Sequence, residues 1–302
     1  MERSDLYRGR FAPSPTGPLH FGSLIAAVGS YLEAKSRHGE WLVRMEDLDP
    51  PREMPGAADL ILQTLDAYGF EWDGPVLYQS RCSDAYEAAL EQLRRDGWLY
   101  PCNCTRREIA DSAVRGIEGP VYPGTCRGRL PGREARAWRV QTTMQEILFA
   151  DALQGQQSQV LERDIGDFVL KRADGLFAYQ LAVVVDDAEQ GITHIVRGAD
   201  LLTSTPRQIW LQQRLGLPAP HYTHLPVATN AAGEKLSKQT LAPALDLSQP
   251  VPALWRTLKF LGQQPPVELT TGSLAELWKW SFNHWDIGRV PQRSACVLGE
   301  ML

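Results

Sequence analysis

Apolar residues recur with two different periods along the first third of the chain. LYRGRFAP at 6–13 and EWLVRMED at 40–47 are short apolar segments followed by proline-rich turns, and both predict β-strands. Between them, from about Gly22, apolar residues recur at helical spacing. Segments 57–69 and 83–97 show the same spacing and each ends in glycine, which is typical of the residue just past a helix. The pattern therefore predicts strands that alternate with helices.

Beyond Tyr100 the helical spacing fades and shorter apolar segments take its place. Residues 101–172 are rich in Arg, Gly, Thr and Gln, with short strand-like segments at 136–142 and 167–172. The apolar run LAVVV at 181–185 has the length of a buried strand and not of a membrane span. The remaining predicted strands are 177–187, 193–198 and 223–229, and the remaining predicted helices are 204–216, 251–262 and 273–285.

Alternating strands and helices predict an α/β fold, a mainly parallel sheet with helices on both faces. We divide the chain into the first half of a nucleotide-binding domain (1–100), an insertion (101–172), the second half of that domain (173–245) and a short helical C-terminal region (246–302). Such sheets bind nucleotides where the first strand turns into the first helix. APSPTGPLHFGS at 12–23 occupies that turn, and the helix after it presents its N-terminal amides to phosphate.

The overall composition is that of a folded globular chain. Its 302 residues are 43% apolar and 22% charged, which argues against disorder. The N-terminal residues are polar and lack the apolar core of a secretion signal, and no apolar run reaches the length of a membrane span. We therefore expect a cytoplasmic protein. The net charge is −5, yet residues 101–140 contain eight Arg and four acidic residues, which indicates either a nucleic-acid contact or an ordinary solvated surface.

Three of the five cysteines, Cys102, Cys104 and Cys126, are close in sequence. An odd number of cysteines in an intracellular chain of this size argues against a disulfide framework. Three thiols at this spacing predict a tetrahedral zinc site, with three buried free cysteines as the alternative. No histidine is near in sequence, so the residues alone leave the fourth ligand open between water and Asp111.

Two short segments carry the strongest chemical signal. RFAPSPTGPLHFGS at 10–23 and KLSKQ at 235–239 resemble the two signature motifs of class I aminoacyl-tRNA synthetases, whose consensus spellings are HIGH and KMSKS. VRMEDLDPPRE at 43–53 and HIVRGADLLTSTPRQ at 194–208 narrow this resemblance to the glutamyl branch. The resemblance implies a Rossmann-like catalytic domain with a zinc-binding insertion.

This resemblance implies a reaction in which an amino acid is joined to ATP, with Mg²⁺, and pyrophosphate leaves. His20, Gly22 and Ser23 are expected at the phosphates, and the two lysines of the late loop are expected to neutralise pyrophosphate. The residues assigned to ATP and to catalysis are His20, Gly22, Ser23, Lys235 and Lys238. The chain departs from the consensus at Ser23, where the motif has His, and at Gln239, where it has Ser.

The glutamyl branch also implies a pocket for L-glutamate. An acidic side chain calls for a guanidinium partner, so Arg10 and Arg197 are expected to bind it. Glu46 is expected to hold the α-ammonium group, and Tyr179 to donate its hydroxyl. The remaining residues expected around the substrate are Phe11, Ala12, Pro13 and Ser14.

The resemblance supplies a fourth metal ligand as well. Tyr122, four residues before Cys126, is implied as an oxygen donor beside the three thiols. With all four positions filled by protein, the zinc ion would be structural and would hold a loop that lacks a core of its own.

The length of the chain beyond the lysine loop indicates which molecule receives the activated glutamate. Only residues 246–302 follow, whereas a full glutamyl-tRNA synthetase continues with domains that read the anticodon, so no anticodon-binding domain is expected. This resembles a truncated branch of the family that activates glutamate without tRNA and esterifies it onto queuosine in the anticodon loop of tRNA(Asp). A monomer is expected. Arginines expected to grip the tRNA backbone are Arg106, Arg107, Arg127, Arg129 and Arg133.

Three other functions remain open from the sequence. They are a minimal glutamyl-tRNA synthetase that charges a 3′ end, a ligase that passes glutamate to a small metabolite, and a non-catalytic regulatory paralogue. The intact His20, Arg197, Lys235 and Lys238 argue against the paralogue, because a protein without catalytic function has no need to keep them.

Overall fold

Strands and helices alternate from the start of the chain, as the apolar pattern predicts. The computed structural model describes residues 6–112, 115–128, 136–236 and 243–301. The helices of these residues are α1 (Phe21–Ser36), α2 (Ala57–Ala67), α3 (Ser83–Arg95), α4 (Arg106–Ser112), α5 (Leu161–Asp164), α6 (Tyr179–Glu189), α7 (Thr205–Leu215), α8 (Pro250–Phe260), α9 (Leu274–His284) and α10 (Leu298–Met301). The strands are β1 (Arg8–Phe11), β2 (Glu40–Met45), β3 (Leu77–Tyr78), β4 (Leu99–Cys102), β5 (Arg115–Gly116), β6 (Gly119–Pro120), β7 (Ala137–Val140), β8 (Glu146–Asp151), β9 (Gly155–Val160), β10 (Phe168–Lys171), β11 (His194–Gly198), β12 (His221–Leu225), β13 (Val227–Thr229) and β14 (Ala295–Val297).

The central sheet is mainly parallel. β1 pairs with β2 and β2 with β3, all parallel, and β11 pairs with β12 in parallel as well. The two halves meet at β1 and β11, where the backbone N–H of Thr193 donates to the carbonyl of Arg8 at 3.0 Å. Parallel pairing puts the carboxyl ends of β1 and β2 along one edge, which is where α/β sheets bind ligands.

Apolar side chains pack on both faces of this sheet. Val43 and Val196 belong to one buried cluster, together with residues of α1, α8 and α9. Their sequence neighbours Leu42 and Ile195 belong to a second cluster, with residues of α3, α6 and α7. Because successive residues of a strand point to opposite faces, helices cover the sheet on both sides, as predicted.

Residues 179–187 of the predicted strand 177–187 belong to helix α6, so the prediction of a strand over them was wrong. Residues 181–187 are all buried, so the run LAVVV has no polar position that would reveal its period. A helix that is buried on every side has the same continuous apolar sequence as a buried strand. In the helix, Asp186 and Asp187 lie seven and eight residues after Tyr179 and share its face. In a strand, the two aspartates would point to opposite sides of the sheet.

The described part of the inserted region 101–172 contributes to three sheets, of which the smallest is the antiparallel pair of β5 and β6. The predicted strands β7 and β10 form a small antiparallel sheet with β4. β8 and β9 form an antiparallel hairpin that the apolar pattern does not predict, because Gln and Glu interrupt it. β8 also pairs with β12, with Asp151 opposite Tyr222, so the hairpin extends the central sheet.

The C-terminal helices α8 and α9 pack on α1, and α9 also contacts the end of α2. The indole N–H of Trp278 in α9 donates to the carbonyl of Tyr68 at 2.9 Å, and that of Trp285 donates to Glu33 at 2.8 Å. β14 pairs in parallel with β13, and Pro226 divides the predicted strand 223–229 into β12 and β13. Among the described residues, none of the helices has both the length and the apolarity that a membrane span requires.

Candidate active site and metal centre

The two signature segments meet at the N-terminus of α1. His20 is the residue before α1, and its Nδ1 accepts a hydrogen bond from the backbone N–H of Ser23 at 3.4 Å. A Cβ on Gly22 would lie 3.0 Å from Cε1 of His20 and 3.1 Å from the carbonyl oxygen of Leu236. Glycine therefore lets the loop of Lys235 approach the start of the helix, whose amide groups suit phosphate. The helix start and the lysine loop form one site.

Lys235 lies at this site and forms an ion pair with Asp200. Its ammonium lies 2.6 Å from Oδ2 of Asp200, which follows β11. Gly233, with φ of +79°, provides the left-handed turn before it. To bind a nucleotide, the ammonium of Lys235 would have to exchange the carboxylate of Asp200 for a phosphate oxygen. Lys238, the other predicted catalytic lysine, lies outside the described residues.

A cleft of about 260 Å³ lies between the end of β1 and the start of α6. Ser14, Glu46 and Tyr179, three of the residues predicted to bind glutamate, line it. The backbone N–H of Glu46 donates to the carbonyl of Pro13 at 3.0 Å, which fixes Glu46 beside residues 12–14. The side chain of Phe11 is buried in the core around α1, so only its backbone is left to contact a ligand.

Arg10 lies behind this cleft in a buried ion pair. Its Nε and Nη2 donate to the two oxygens of Asp187 at 3.0 and 3.3 Å. The same carboxylate accepts from Nη2 of Arg44 at 2.8 Å, and Nη1 of Arg44 donates to Gln190 at 2.7 Å. Burial alone would raise the pKa of Asp187, but the charges of Arg10 and Arg44 hold it below its usual value. Asp187 is therefore a fixed anion between two cations.

Glu46 and Tyr179 share the electrostatic environment of these arginines. Burial raises the pKa of Glu46 to about 7, against the opposing charges of Arg44 and Arg10. Burial also raises the pKa of Tyr179, which lies in the field of Arg197, Glu46 and Arg10. The tyrosine is therefore a neutral hydroxyl donor near pH 7. The structure brings together side chains that the sequence separates by up to 187 positions, Arg10 and Arg197 included.

Arg197 on β11 is buried and has one nitrogen without a protein partner. Its Nε donates to Nε2 of His224 at 3.0 Å, and its Nη2 donates to Oγ1 of Thr205 at 2.8 Å. Nη1 is buried and has no hydrogen-bond partner among the residues that the structure describes. Leaving a buried donor unsatisfied costs about 1–3 kcal/mol, and more for a charged group. The atom therefore marks a position suited to an acceptor of a ligand.

The three clustered cysteines could hold a metal ion, and the hydroxyl of Tyr122 lies beside them. Their sulfur atoms lie within 4.8 Å of one another, and those of Cys104 and Cys126 are 3.6 Å apart. The hydroxyl oxygen of Tyr122 lies 3.4 Å from Sγ of Cys102 and 3.6 Å from Sγ of Cys104. A tetrahedral site with Zn–S distances of about 2.3 Å places its sulfurs about 3.8 Å apart. The four donors therefore fit one four-coordinate ion; the side chain of Asp111 lies outside the described residues.

Comparisons identify the relatives of the chain. Residues 7–250 match the family model of class I tRNA synthetases (E and Q), catalytic domain. The glutamyl-Q tRNA(Asp) synthetase of Dechloromonas aromatica is 63% identical over 295 residues, which cover 97% of this chain and 98% of that protein. The glutamyl-Q tRNA(Asp) synthetase of Chromobacterium violaceum is 64% identical, over 95% of this chain and 96% of its own length. The chain belongs to the glutamyl-Q tRNA(Asp) synthetase family.

The fold of this family member is also found in a longer solved protein. The crystal structure of the glutamate-tRNA synthetase from Elizabethkingia anophelis matches it with a TM-score of 0.79 at 25% identity, over 98% of this chain and 69% of that one. The chain therefore has the class I synthetase α/β fold with a parallel sheet. As a member of the glutamyl-Q tRNA(Asp) synthetase family it is a ligase.

A short helix with two basic residues, α4, follows Cys104 of the candidate metal centre. Thr105, next to Cys104, caps α4: its backbone N–H donates to Glu108 at 2.7 Å, and the N–H of Glu108 donates to its hydroxyl at 3.2 Å. Arg106 and Arg107, at the start of α4, are exposed. Two of the arginines that are expected to contact tRNA are therefore exposed directly after the candidate metal centre.

Arg127 does not fit that expectation. Its guanidinium donates to Asp167 and to Glu162, the latter at 2.8 Å, and it also donates to the carbonyl of Thr142. A guanidinium held by two carboxylates stabilises the insertion and has no spare charge for phosphate. Arg129 and Arg133 lie outside the described residues.

Several residues of the site are absent from the sequence prediction. Arg44 stands inside the segment VRMED, but only its neighbour Glu46 was assigned a role there. Asp187 ends the run that was interpreted as a strand, and the helical face it shares with Tyr179 is the signal that would have revealed it. His224 and Asp151, which lie behind Arg197, have no local signal, because the pairing of β8 with β12 brings them together.

Proposed function

We propose that this chain uses ATP to activate L-glutamate as glutamyl-adenylate without tRNA, and then joins the glutamyl group to queuosine of tRNA(Asp). The observation that carries the activation step is the buried Nη1 of Arg197, which lacks a partner among the described residues, near a cleft lined by Glu46 and Tyr179. The names of the relatives at 63% and 64% identity support queuosine of tRNA(Asp) as the group that accepts glutamate.

The charges around the cleft suit a dicarboxylic amino acid. The buried guanidinium groups belong to Arg10, Arg44 and Arg197. Asp187 opposes them as an ionised carboxylate, whereas burial raises the pKa of Asp186 to about 6 and that of Glu46 to about 7. Near neutral pH the carboxylates of Asp187 and Asp186 balance two of the three guanidinium groups, and the positive charge of Arg197, whose Nη1 lacks a partner among the described residues, is left for a substrate carboxylate. A neutral glutamine side chain would leave that charge unbalanced.

Each group of the cleft has a role in this proposal. Arg197, with the hydroxyl of Tyr179, binds the γ-carboxylate of glutamate through a charge-assisted hydrogen bond. Glu46 pairs with the α-ammonium group, and the ammonium charge favours the ionised form of Glu46. Ser14 lies on the side of the cleft that leads to the first helix, so the α-carboxylate faces the nucleotide.

Activation then takes place at the start of α1. An oxygen of the α-carboxylate attacks the α-phosphorus of ATP, and the bond from that phosphorus to the bridging oxygen breaks, releasing pyrophosphate. Since Nδ1 of His20 accepts from Ser23, a neutral ring carries its proton on Nε2, and this N–H donates a hydrogen bond to a phosphate oxygen. Lys235 and Lys238 neutralise the leaving pyrophosphate. Mg²⁺, bound with ATP, supplies further positive charge at the phosphates.

Pyrophosphate exchange tests the activation step. Purified protein with ATP, Mg²⁺ and glutamate, without tRNA, should incorporate labelled pyrophosphate into ATP. Lys238→Ala should lower the exchange rate by roughly 10²-fold or more, because the lysine acts on charge that develops in the transition state. Faster exchange with glutamine or aspartate than with glutamate would contradict the pocket assignment. A requirement for tRNA would favour an ordinary glutamyl-tRNA synthetase.

We further propose that Cys102, Cys104, Tyr122 and Cys126 hold a structural zinc ion. Elemental analysis of protein purified without chelators should find about one zinc per chain. Cys104→Ser should lose both the metal and solubility, since the insertion depends on the centre for its order. Tyr122→Phe should retain the metal less tightly and still fold.

Cys82 provides the matched control for this substitution. It is a half-buried free cysteine whose thiol donates to the carbonyl of Tyr78, away from the metal centre. Cys82→Ser should keep a full complement of zinc. Protein that contains no zinc, or a Cys82→Ser variant that loses as much metal as Cys104→Ser, would refute the assignment.

A further inference from the structure

A buried pair, Asp151 and His224, lies behind Arg197 and has no role in the chemistry proposed above. Oδ2 of Asp151 lies 2.6 Å from Nδ1 of His224, and Nε2 of His224 accepts from Nε of Arg197 at 3.0 Å. The three side chains come from β8, β12 and β11, which are neighbours in the sheet, and all three are buried. They form a chain of hydrogen bonds that ends at Arg197, whose charge acts on Tyr179 in the lining of the candidate glutamate cleft.

The donors and acceptors of this chain have one consistent assignment. Oδ1 of Asp151 accepts from the backbone N–H groups of Leu153, Gln154 and His224 at 3.0, 2.8 and 3.2 Å. An ionised carboxylate only accepts, so the proton between it and His224 is on Nδ1. A guanidinium only donates, so Nε2 of His224 is the acceptor for Arg197. The ring is therefore neutral, in agreement with its pKa, which burial lowers.

This assignment fixes the orientation of the guanidinium. Nε of Arg197 is held by His224, and Nη2 is held by the hydroxyl of Thr205. Rotation of the planar group would break both hydrogen bonds, so Nη1 keeps its direction. The side-chain hydroxyl of Thr205 also lies 3.2 Å from Nε2 of His224, which makes the three groups one unit.

We propose that Asp151 and His224 are positioning residues, which hold Arg197 in the orientation that binds the side-chain carboxylate of the amino-acid substrate, with His224 as the neutral Nδ1–H tautomer. The inference rests on the proposed function, in which Arg197 binds glutamate. The tautomer of one histidine ring is set by the hydrogen bond at its other nitrogen, so the effect of Asp151 reaches Arg197 through His224.

The variant Asp151→Asn tests this arrangement with almost no change of volume. Three backbone N–H groups surround Oδ1, so the amide oxygen has to occupy that position and the NH₂ group has to face Nδ1 of His224. The NH₂ group donates, which moves the ring proton to Nε2. Nε2–H then opposes Nε–H of Arg197, and the guanidinium is displaced. The fold loses no side-chain volume, so the variant separates positioning from packing.

Pyrophosphate exchange gives the kinetic readout. Asp151→Asn should raise the KM for glutamate by about 10- to 100-fold, the effect of a small misplacement of a binding group, and should leave the KM for ATP unchanged. In an Arg197→Met background, Asp151→Asn should have no further effect on glutamate, because it acts through Arg197. Equal effects in both backgrounds, or an equal rise in the KM for ATP, would overturn the inference.

A measurement that does not depend on glutamate completes the test. ¹⁵N NMR of protein labelled at its six histidines, with His224→Gln to assign the resonance, should show a neutral Nδ1–H ring in the wild type. The Asp151→Asn protein should show an Nε2–H ring. An Nε2–H or doubly protonated His224 in the wild type at pH 7 would overturn the inference. Absence of glutamate-dependent exchange by the wild type would instead overturn the proposed function, while the NMR result would still decide how His224 holds Arg197.

Discussion

Replacing Arg197 by methionine should lower kcat/KM for glutamate in pyrophosphate exchange by roughly 30- to 5,000-fold. Methionine is long and apolar and fills much of the space of a side chain that is 5% exposed. It lacks the guanidinium that we assign to the γ-carboxylate of the substrate. Removing one partner of a buried, hydrogen-bonded charge pair costs about 2–5 kcal/mol, which gives the expected range.

Two further variants separate this loss from general damage. Arg197→Lys keeps the positive charge but not the planar fork that binds His224 and Thr205 together, so it should recover only part of the loss. Arg214→Met removes a guanidinium that stacks on Trp98 and Trp210, away from the cleft. It should lower thermal stability and leave the KM for glutamate unchanged. An Arg197→Met protein with wild-type exchange, or with an equal loss in the affinity for ATP, would contradict the assignment.

The parts of the site that depend on backbone turns could be predicted from the sequence. The residues before α1 and the glycine-led lysine loop have distinctive spellings, because a phosphate site needs glycines at close approaches and cations on a loop. The structure brings these two segments together at Gly22 and Leu236. The role of Lys238 and the domain boundaries remain predictions.

The identity of helix α6 could not be predicted in the same way. Its valine run is buried on all sides, and such a run has no polar face that would show a helical or a strand period. The error had a consequence for the site. Interpreted as a strand, the segment would separate Asp186 from Asp187, so the carboxylate that binds both Arg10 and Arg44 was missed.

The residues that hold Arg197, Asp151 and His224, could not be predicted from local sequence patterns. Asp151 lies on a hairpin rich in glutamine, and nothing near it in sequence indicates that β8 pairs with β12. The same holds for Arg127, which the local charge of the insertion suggested for tRNA and which the fold pairs with Asp167 and Glu162. Long-range pairing decides which charged residues are free to bind a partner, and composition alone does not contain it.

Dependence on queuosine should be the largest effect of all, an all-or-none difference between two tRNA preparations. In the transfer step that we propose, a hydroxyl of the queuosine cis-diol is joined to the carbonyl carbon of the adenylate, with loss of the hydroxyl proton and departure of AMP. A tRNA that lacks queuosine has no such hydroxyl in its anticodon loop, so it should receive no glutamate. Proteins position an RNA through contacts to its phosphates, and they recognise an unstacked loop base in a pocket. We expect queuosine to be recognised in this way.

The exposed arginines of the insertion suit the positioning part of this step. Arg106 and Arg107 lie on α4 beside the metal centre, and Arg115 and Arg136 are also exposed. They are exposed positive charges on a chain whose net charge is −5. Charge reversal at Arg106 and Arg107 should therefore weaken the transfer to tRNA and leave tRNA-independent activation intact.

The direct test of the central claim compares tRNA(Asp) from cells that make queuosine with tRNA(Asp) from cells that cannot. Each is incubated with the protein, ATP, Mg²⁺ and radiolabelled glutamate, and the label is then mapped by nuclease digestion. We predict label only on the queuosine-containing tRNA, in the anticodon fragment, and equally after removal of the 3′-terminal adenosine. Equal labelling of both tRNAs, or label on the terminal adenosine, would contradict the proposal and favour a minimal glutamyl-tRNA synthetase.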